Sequence, residues 1–148
     1  MTRSNAREIV AHLIFEMNFK DEPAEQIIAS TMEQEYYESL AQETDIYAEK
    51  PNAKQMDYIR TCATEIQLRQ EELDGYIGKY TRNWSVSRIS KVARAIMHVA
   101  MYEALYVDDV PTDAAISEAV ELTRKYEDED VVSFVNGILG SFAKELEK

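Results

Sequence analysis

The stretch VARAIMHVAMYE, residues 92–103, has the spacing of a helix that lies in a protein core. Its apolar side chains return every three or four positions, which places them on one face of a helix turning about 100° per residue. The alternation of a half-buried strand is absent from it. The apolar face includes Ile89, Val92, Ala93, Ile96, Val99 and Ala100. The sequence therefore predicts a strong helix in the second half of the chain.

Apolar spacing of the same kind predicts about seven helices along the chain, and no segment alternates as a strand would. Asp21, followed by Pro23, is predicted to cap the second helix. Asn52 with Gln55 has the pattern of a capping box for the third helix. The acidic residues 33–50 are interpreted as a helix tail and a connection. These patterns together predict an all-α fold.

Three polar segments predict where the later helices begin and end. TRNWSVS, residues 81–87, has no helical period and is predicted to be a boundary. Thr112 or Asp113 is predicted to cap the sixth helix. EDED, residues 127–130, is predicted to separate that helix from the last one.

Composition restricts the class of protein. The chain has 148 residues, of which 45% are hydrophobic, 30% are charged, and only seven are Gly (4) or Pro (3). Few turn formers favour helices over sandwiches and barrels. No apolar run approaches the roughly 20 residues of a membrane span, and the N-terminus lacks the apolar core of a signal peptide. We therefore expect a cytoplasmic protein that does not enter a membrane.

Charge is distributed unevenly. The net charge is -12, yet residues 75–102 contain five basic side chains and no acid. Residues 21–49 contain nine acids and no Lys or Arg. Such a chain repels a polyanion at long range, so any contact with nucleic acid has to be local.

Catalytic patterns are weak. His12 and His98 lie far apart in the sequence, and no metal-binding or phosphate-binding motif accompanies them. The single cysteine, Cys62, falls on the apolar face of its helix, as a buried small side chain would. We expect no enzyme activity, no cofactor and no metal.

Two helix faces are candidates for binding. On the first helix, the face opposite the core carries Glu8, His12, Phe15 and Phe19. This face is either a second buried side or a surface that binds a partner. On the central helix, Lys91, Arg94 and His98 form a stripe away from the apolar face. This stripe is either ordinary solvated charge or a site of phosphate contact.

The last helix has a face of small residues. Ser133, Asn136, Gly137, Gly140 and Ala143 lie opposite its large apolar side chains. Glycine inside a helix costs about 0.5–1 kcal/mol relative to alanine. A smooth face allows close approach of either a neighbouring helix or a ligand strand, and the amide of Asn136 can pair with backbone or base.

With these motifs in order, the chain resembles the NusB family of bacterial transcription antitermination factors. The resemblance runs nearly end to end. The matching motifs are R-x-x-A-R-E at residues 3–8, L-D-G at 73–75, Trp84, Arg88, VARAIMHVAMYE at 92–103, VPTDAAISEAVEL at 110–122 and FVNGIL at 134–139.

The resemblance implies one all-α domain over residues 1–148, with two packed helical halves at 1–83 and 84–148. It implies a non-catalytic factor that binds boxA RNA of ribosomal RNA transcripts together with NusE, a ribosomal protein, and acts on RNA polymerase.

The resemblance also implies which residues take part in binding. The candidates for RNA contact are Arg3, Arg7, Lys91, Arg94, Phe134 and Asn136, with Lys91 and Arg94 suggested by charge. The candidates for protein contact are His12, Phe15, Phe19 and Ala93.

The chain departs from the family pattern at several positions. Ser4 and Asn5 follow Arg3 where adjacent arginines are usual. Ala93 stands where an acid is usual, His98 where an arginine is usual, and EDED is acidic for a site near RNA. These departures support an alternative, a NusB-like helical module that acts mainly through protein–protein contacts. A monomer and a homodimer remain alternatives for the free chain.

Overall fold

The structure is a computed structural model that describes residues 1–81 and 89–147. Over these residues it contains eight α-helices and one short 3₁₀-helix (Asp45–Tyr47), with no strand, so the predicted all-α fold is confirmed. The α-helices are α1 (Arg3–Lys20), α2 (Ala24–Met32), α3 (Gln34–Leu40), α4 (Ala53–Leu68), α5 (Gln70–Tyr80), α6 (Lys91–Tyr106), α7 (Thr112–Tyr126) and α8 (Glu129–Leu146).

The chain divides into two compact units, Met1–Gln67 and Leu68–Lys148. In the first unit, α1 contacts α2 and the 3₁₀-helix, and α3 contacts the same two elements. Its apolar side chains are buried along α1, and Tyr37 and Tyr47 pack edge to face with ring centroids 5.3 Å apart. Edge-to-face packing of this kind adds about 0.5–1.5 kcal/mol to the burial of the rings.

In the second unit, α6 is the central helix because it contacts α5, α7 and α8. Ten of its 16 residues are buried, which is typical of a helix surrounded by others. The Ser90 hydroxyl caps its N-terminus by accepting the Ala93 N–H at 3.0 Å, and it donates to Glu127 at 2.8 Å. Tyr76 of α5 meets Phe142 of α8 edge to face, with ring centroids 5.1 Å apart.

The structure confirms one predicted cap and corrects others. The Asn52–Gln55 capping box forms through reciprocal bonds of 3.0 and 2.8 Å. Asp21 instead ends α1 in the left-handed conformation (φ 56°) and does not cap α2. Neither Thr112 nor Asp113 caps α7, because Pro111 occupies the cap position and makes no side-chain bond.

Two acidic segments are more helical than predicted. Residues 33–50 contain a separate helix, α3, because its Tyr37 is buried and the Glu33 side chain accepts two N–H groups of its first turn. In the EDED segment, Asp128 caps α8 by accepting the Val131 N–H at 3.2 Å. Acids suit this position because the helix N-terminus is partially positive.

The predicted boundary between halves, at residues 83 and 84, and the motif residues Trp84 and Arg88 lie outside the described residues. Helix α5, which the sequence placed in the N-terminal half, belongs to the second unit. Its contacts with α6 and α8 explain this assignment.

Candidate functional site

The outer face of α1 presents two stacked phenylalanines. The Phe15 and Phe19 rings lie almost parallel, at 11°, with centroids 6.3 Å apart. Phe15 is half-buried and Phe19 is 69% exposed. The alternative that this face is a second buried side therefore fails at Phe19. An exposed aromatic pair is typical of a surface that binds a partner.

His12 and Glu8, one and two turns before Phe15, are less exposed than predicted. His12 is half-buried, and its Nδ1 lies 2.7 Å from the Tyr47 hydroxyl. Glu8 is buried, with a carboxylate oxygen 3.9 Å from His12 Nε2. If the Tyr47 hydroxyl donates to Nδ1, Nε2 carries a proton and faces Glu8. His12 is thus held at the edge of the Phe15–Phe19 surface, whereas Glu8 points inward.

The two N-terminal arginines have different environments. Arg3 is exposed at the first residue of α1, with its guanidinium 5.0 Å from the centre of the Tyr58 ring. Arg7, a candidate for RNA contact, is buried, with 7% of its surface exposed. The reason is that this turn of α1 is buried all round, over the six consecutive residues 6–11.

Asp74 of α5 binds two of the three side chains in the predicted basic stripe of α6. The Asp74 carboxylate accepts Arg94 Nε at 2.9 Å and Arg94 Nη2 at 2.6 Å. It also accepts His98 Nε2 at 2.7 Å. His98 is fully buried, at 0% exposure, and its Nδ1 has no hydrogen-bond partner within the described part of the chain. The predicted stripe is therefore wrong for His98, and Arg94 is bound to an acid.

The pKa values of this cluster follow from its burial. Burial alone would raise the pKa of Asp74, but the hydrogen bonds from His98 and Arg94, together with the positive charge of Arg94, outweigh it and lower the pKa to about 2. Burial lowers the pKa of His98 below its ordinary value, and the bond to Asp74 offsets only part of that. At neutral pH the cluster thus contains an ionised Asp74, a charged Arg94 and a neutral His98 that donates its Nε2–H.

The N-terminus of α6 presents only one of the other candidates. Lys91 is exposed at the first residue of the helix. Ala93, a candidate for protein contact, is fully buried at 0% exposure, as its place on the apolar face of this helix predicts. A small side chain fits there because α6 packs against other helices on several sides.

The small-residue face of α8 is open. A Cβ added at Gly137 or at Gly140 would meet no atom within 4 Å beyond its own helix. The alternative of a closely packed neighbouring helix is therefore wrong. Asn136 is exposed on this face, and Phe134 is half-buried. Ile116 and Val120 of α7 are half-buried and line a groove with Asn136 and Gly140.

The predicted site residues thus fall into two groups. Arg3, His12, Phe15 and Phe19 lie on α1 in the first unit, and Lys91, Phe134 and Asn136 lie in the second. Sequence reasoning missed Asp74, although its place in L-D-G was noted. Its signal was its position as the last acid before the acid-free basic segment 75–102.

The described ranges, 1–81 and 89–147, contain no cluster of three His, Cys, Asp or Glu side chains able to hold a metal ion. In the same ranges, no helix combines the length and hydropathy needed to cross a bilayer.

The fold and these surfaces define a small all-helical binding protein with an aromatic face and exposed cations. A sequence model described as the NusB family matches residues 4–144, and the chain belongs to that family. Among its relatives is the transcription antitermination protein NusB of Clostridium kluyveri, 36% identical over 98% of this chain and 97% of that protein. NusB of Acetivibrio thermocellus is 38% identical over 97% of this chain and 90% of that protein.

Solved structures agree with the family assignment. T. maritima NusB matches with a TM-score of 0.80 and 30% identity, over 98% of this chain and 92% of that one. A crystal structure of the antitermination factors NusB and NusE in complex with dsRNA matches with a TM-score of 0.75, over 97% of this chain and 96% of that one. At 20% identity, this second match shows the fold alone.

Proposed function

We propose that this chain is a transcription antitermination factor that binds boxA-type RNA of ribosomal RNA transcripts together with NusE. In this role it acts as one NusB-like domain within the antitermination complex on RNA polymerase, by binding and without catalysis. The observation that carries the proposal is the match over nearly the whole chain to proteins named transcription antitermination protein NusB.

The aromatic face of α1 is the proposed docking surface for NusE. Phe15 and Phe19 present a stacked pair of rings, and His12 beside them is bonded to Tyr47. Aromatic side chains with low conformational freedom are common anchors of protein interfaces. A basic ribosomal protein is also attracted to the nine acids of residues 21–49.

The proposed RNA contacts are weak without the partner. The chain has a net charge of -12, and Arg3 and Lys91 are the candidate cations whose side chains are exposed. Arg7 is buried and Arg94 is bound to Asp74, so each is less available to phosphate. Docking of a basic partner would reduce the negative field near the RNA, which is screened over about 8 Å at physiological salt.

The test is an anisotropy titration of boxA RNA and of a scrambled RNA, with and without NusE, at matched salt. We expect the pair to bind boxA more tightly and more selectively than the chain alone. Equal affinity with and without NusE would reject the proposal.

The burial of Arg7 and the pairing of Arg94 favour a second candidate, a module that acts mainly through protein contacts. This candidate predicts that NusE binds while neither RNA gains affinity. The same titration, combined with a binding measurement between the chain and NusE, therefore distinguishes the two.

A further inference from the structure

The groove between α7 and α8 has an apolar floor. It is lined by Ile116 and Val120 of α7 and by Gly140 and Ala143 of α8, all of which are partly exposed. The space between the helices has a volume of about 400 Å³. Pockets that bind ligands begin at about this size.

The depth of the groove depends on glycine. Glycine within a helix is destabilising relative to alanine, so an interior glycine usually has a packing reason. Internal packing supplies none here, because an added Cβ at Gly140 or Gly137 would meet no atom within 4 Å. Because glycine has no side chain, the backbone of α8 itself forms the surface of the groove at these positions. The apolar floor is therefore open to a side chain from outside the chain.

The rim of the groove is acidic. Asp113 and Glu121 line it and are both exposed. Arg124 is the neighbouring cation, and it is shared between Glu121 and Glu129, with its Nε 3.4 Å from Glu129. Arg124 thus pairs with two acids, and together with Asp113 beside the groove this edge keeps a net negative charge. Such a rim repels phosphate and attracts Lys and Arg side chains.

We propose that the α7–α8 groove binds a basic peptide segment of a partner protein. An apolar side chain of that segment enters the floor beside Gly140, and flanking Lys or Arg side chains pair with Asp113 and Glu121. The Asn136 amide at the edge is placed to hydrogen-bond the peptide backbone. This binding surface is additional to the Phe15–Phe19 face, and it does not depend on RNA binding.

The test uses the full chain and a short synthetic peptide with lysines flanking two leucines. Amide NMR signals of Ser117, Gly137 and Gly140 report occupancy of the groove. Gly140→Leu fills the floor without changing charge, and Gly75→Leu is the matched control. Gly75 lies inside α5, is exposed, and also has no atom within 4 Å of an added Cβ.

We expect the peptide to shift those signals and Gly140→Leu to weaken its binding by about tenfold or more, the scale of losing one apolar anchor. Gly75→Leu should bind as the unmodified chain does. Asp113→Asn with Glu121→Gln should weaken binding and flatten its salt dependence. A peptide with glutamates in place of the lysines should bind more weakly.

Three results would overturn the proposal. The first is that the lysine peptide leaves the groove signals unchanged. The second is that Gly140→Leu and Gly75→Leu bind it equally, which would make the attraction a general effect of the -12 charge. The third is that boxA RNA, and not the peptide, shifts the groove signals, which would make the groove an RNA surface.

Discussion

Helices α1 and α6 both have side chains that lie off their predicted apolar faces. Those of α6 are largely buried, whereas one of those of α1 is exposed. On α6, the charged and polar pair Arg94 and His98 turns toward Asp74. On α1, the apolar Phe19 stays 69% exposed. Helical spacing alone would predict the reverse.

This difference shows that a side chain is buried where a neighbouring element supplies a group that compensates it. A cation or imidazole is buried at low cost when an acid compensates it, and Asp74 supplies that acid from the neighbouring helix. Burying a phenylalanine would contribute about 1.5–3 kcal/mol, and the chain leaves most of that unused at Phe19. An apolar side chain left exposed is therefore a better marker of a binding surface than a charge.

The largest expected effect is a loss of stability when the Asp74 carboxylate, which binds Arg94 and His98 of α6, is removed. Asp74→Asn should lower the free energy of unfolding by about 2–3 kcal/mol, because it leaves the partly buried Arg94 guanidinium without its counter-charge. Urea denaturation would measure it. Asp108→Asn, the same change at an exposed turn residue, should stay within about 0.5 kcal/mol. Similar small losses in both variants would show that the cluster is not structural.

The next effect concerns the neutral state of His98. Its pKa is lowered in the folded chain, so between about pH 7 and pH 5 the unfolded chain takes up a proton that the folded chain does not. Stability should therefore fall as the pH drops below about 6.5, by at most about 1.4 kcal/mol per pH unit. Ionised Asp74 also stabilises the folded chain, because its pKa is lowered there. That stabilisation is lost only at lower pH, as the pH falls from 3.8 toward about 2.

His98→Gln should flatten the decline between about pH 7 and pH 5, because a glutamine does not titrate. Denaturation curves at several pH values would show this. A variant with the full decline of the unmodified chain would mean that His98 does not cause it.

A smaller effect compares two exposed cations, at opposite ends of α1, in RNA binding. Arg3→Ala should reduce the slope of log affinity against log salt by about 0.7–0.9, the value for one lost phosphate contact, without loss of stability. Lys20→Ala is the control, because Lys20 is also exposed but lies at the other end of α1 and is not a candidate for RNA contact. An unchanged slope in Arg3→Ala would place Arg3 outside the RNA interface.

The all-α fold could be predicted from the sequence, because the helical spacing of apolar residues depends only on positions that are close together in the chain. The sequence located the central helix and the Asn52–Gln55 cap correctly. It failed at Arg7 and His98 because their burial depends on side chains from distant positions, which no helical wheel contains. It placed Ala93 on the apolar face of α6, where the structure buries it.

The most direct test of NusE docking on α1 measures boxA RNA affinity with and without NusE for the variant Phe15→Ala/Phe19→Ala and for the unmodified chain. We expect the variant to stay folded and to lose the gain in affinity that NusE provides, while its affinity for RNA alone stays nearly unchanged. A variant that keeps the full NusE-dependent gain would contradict the claim that the aromatic face of α1 binds the protein partner.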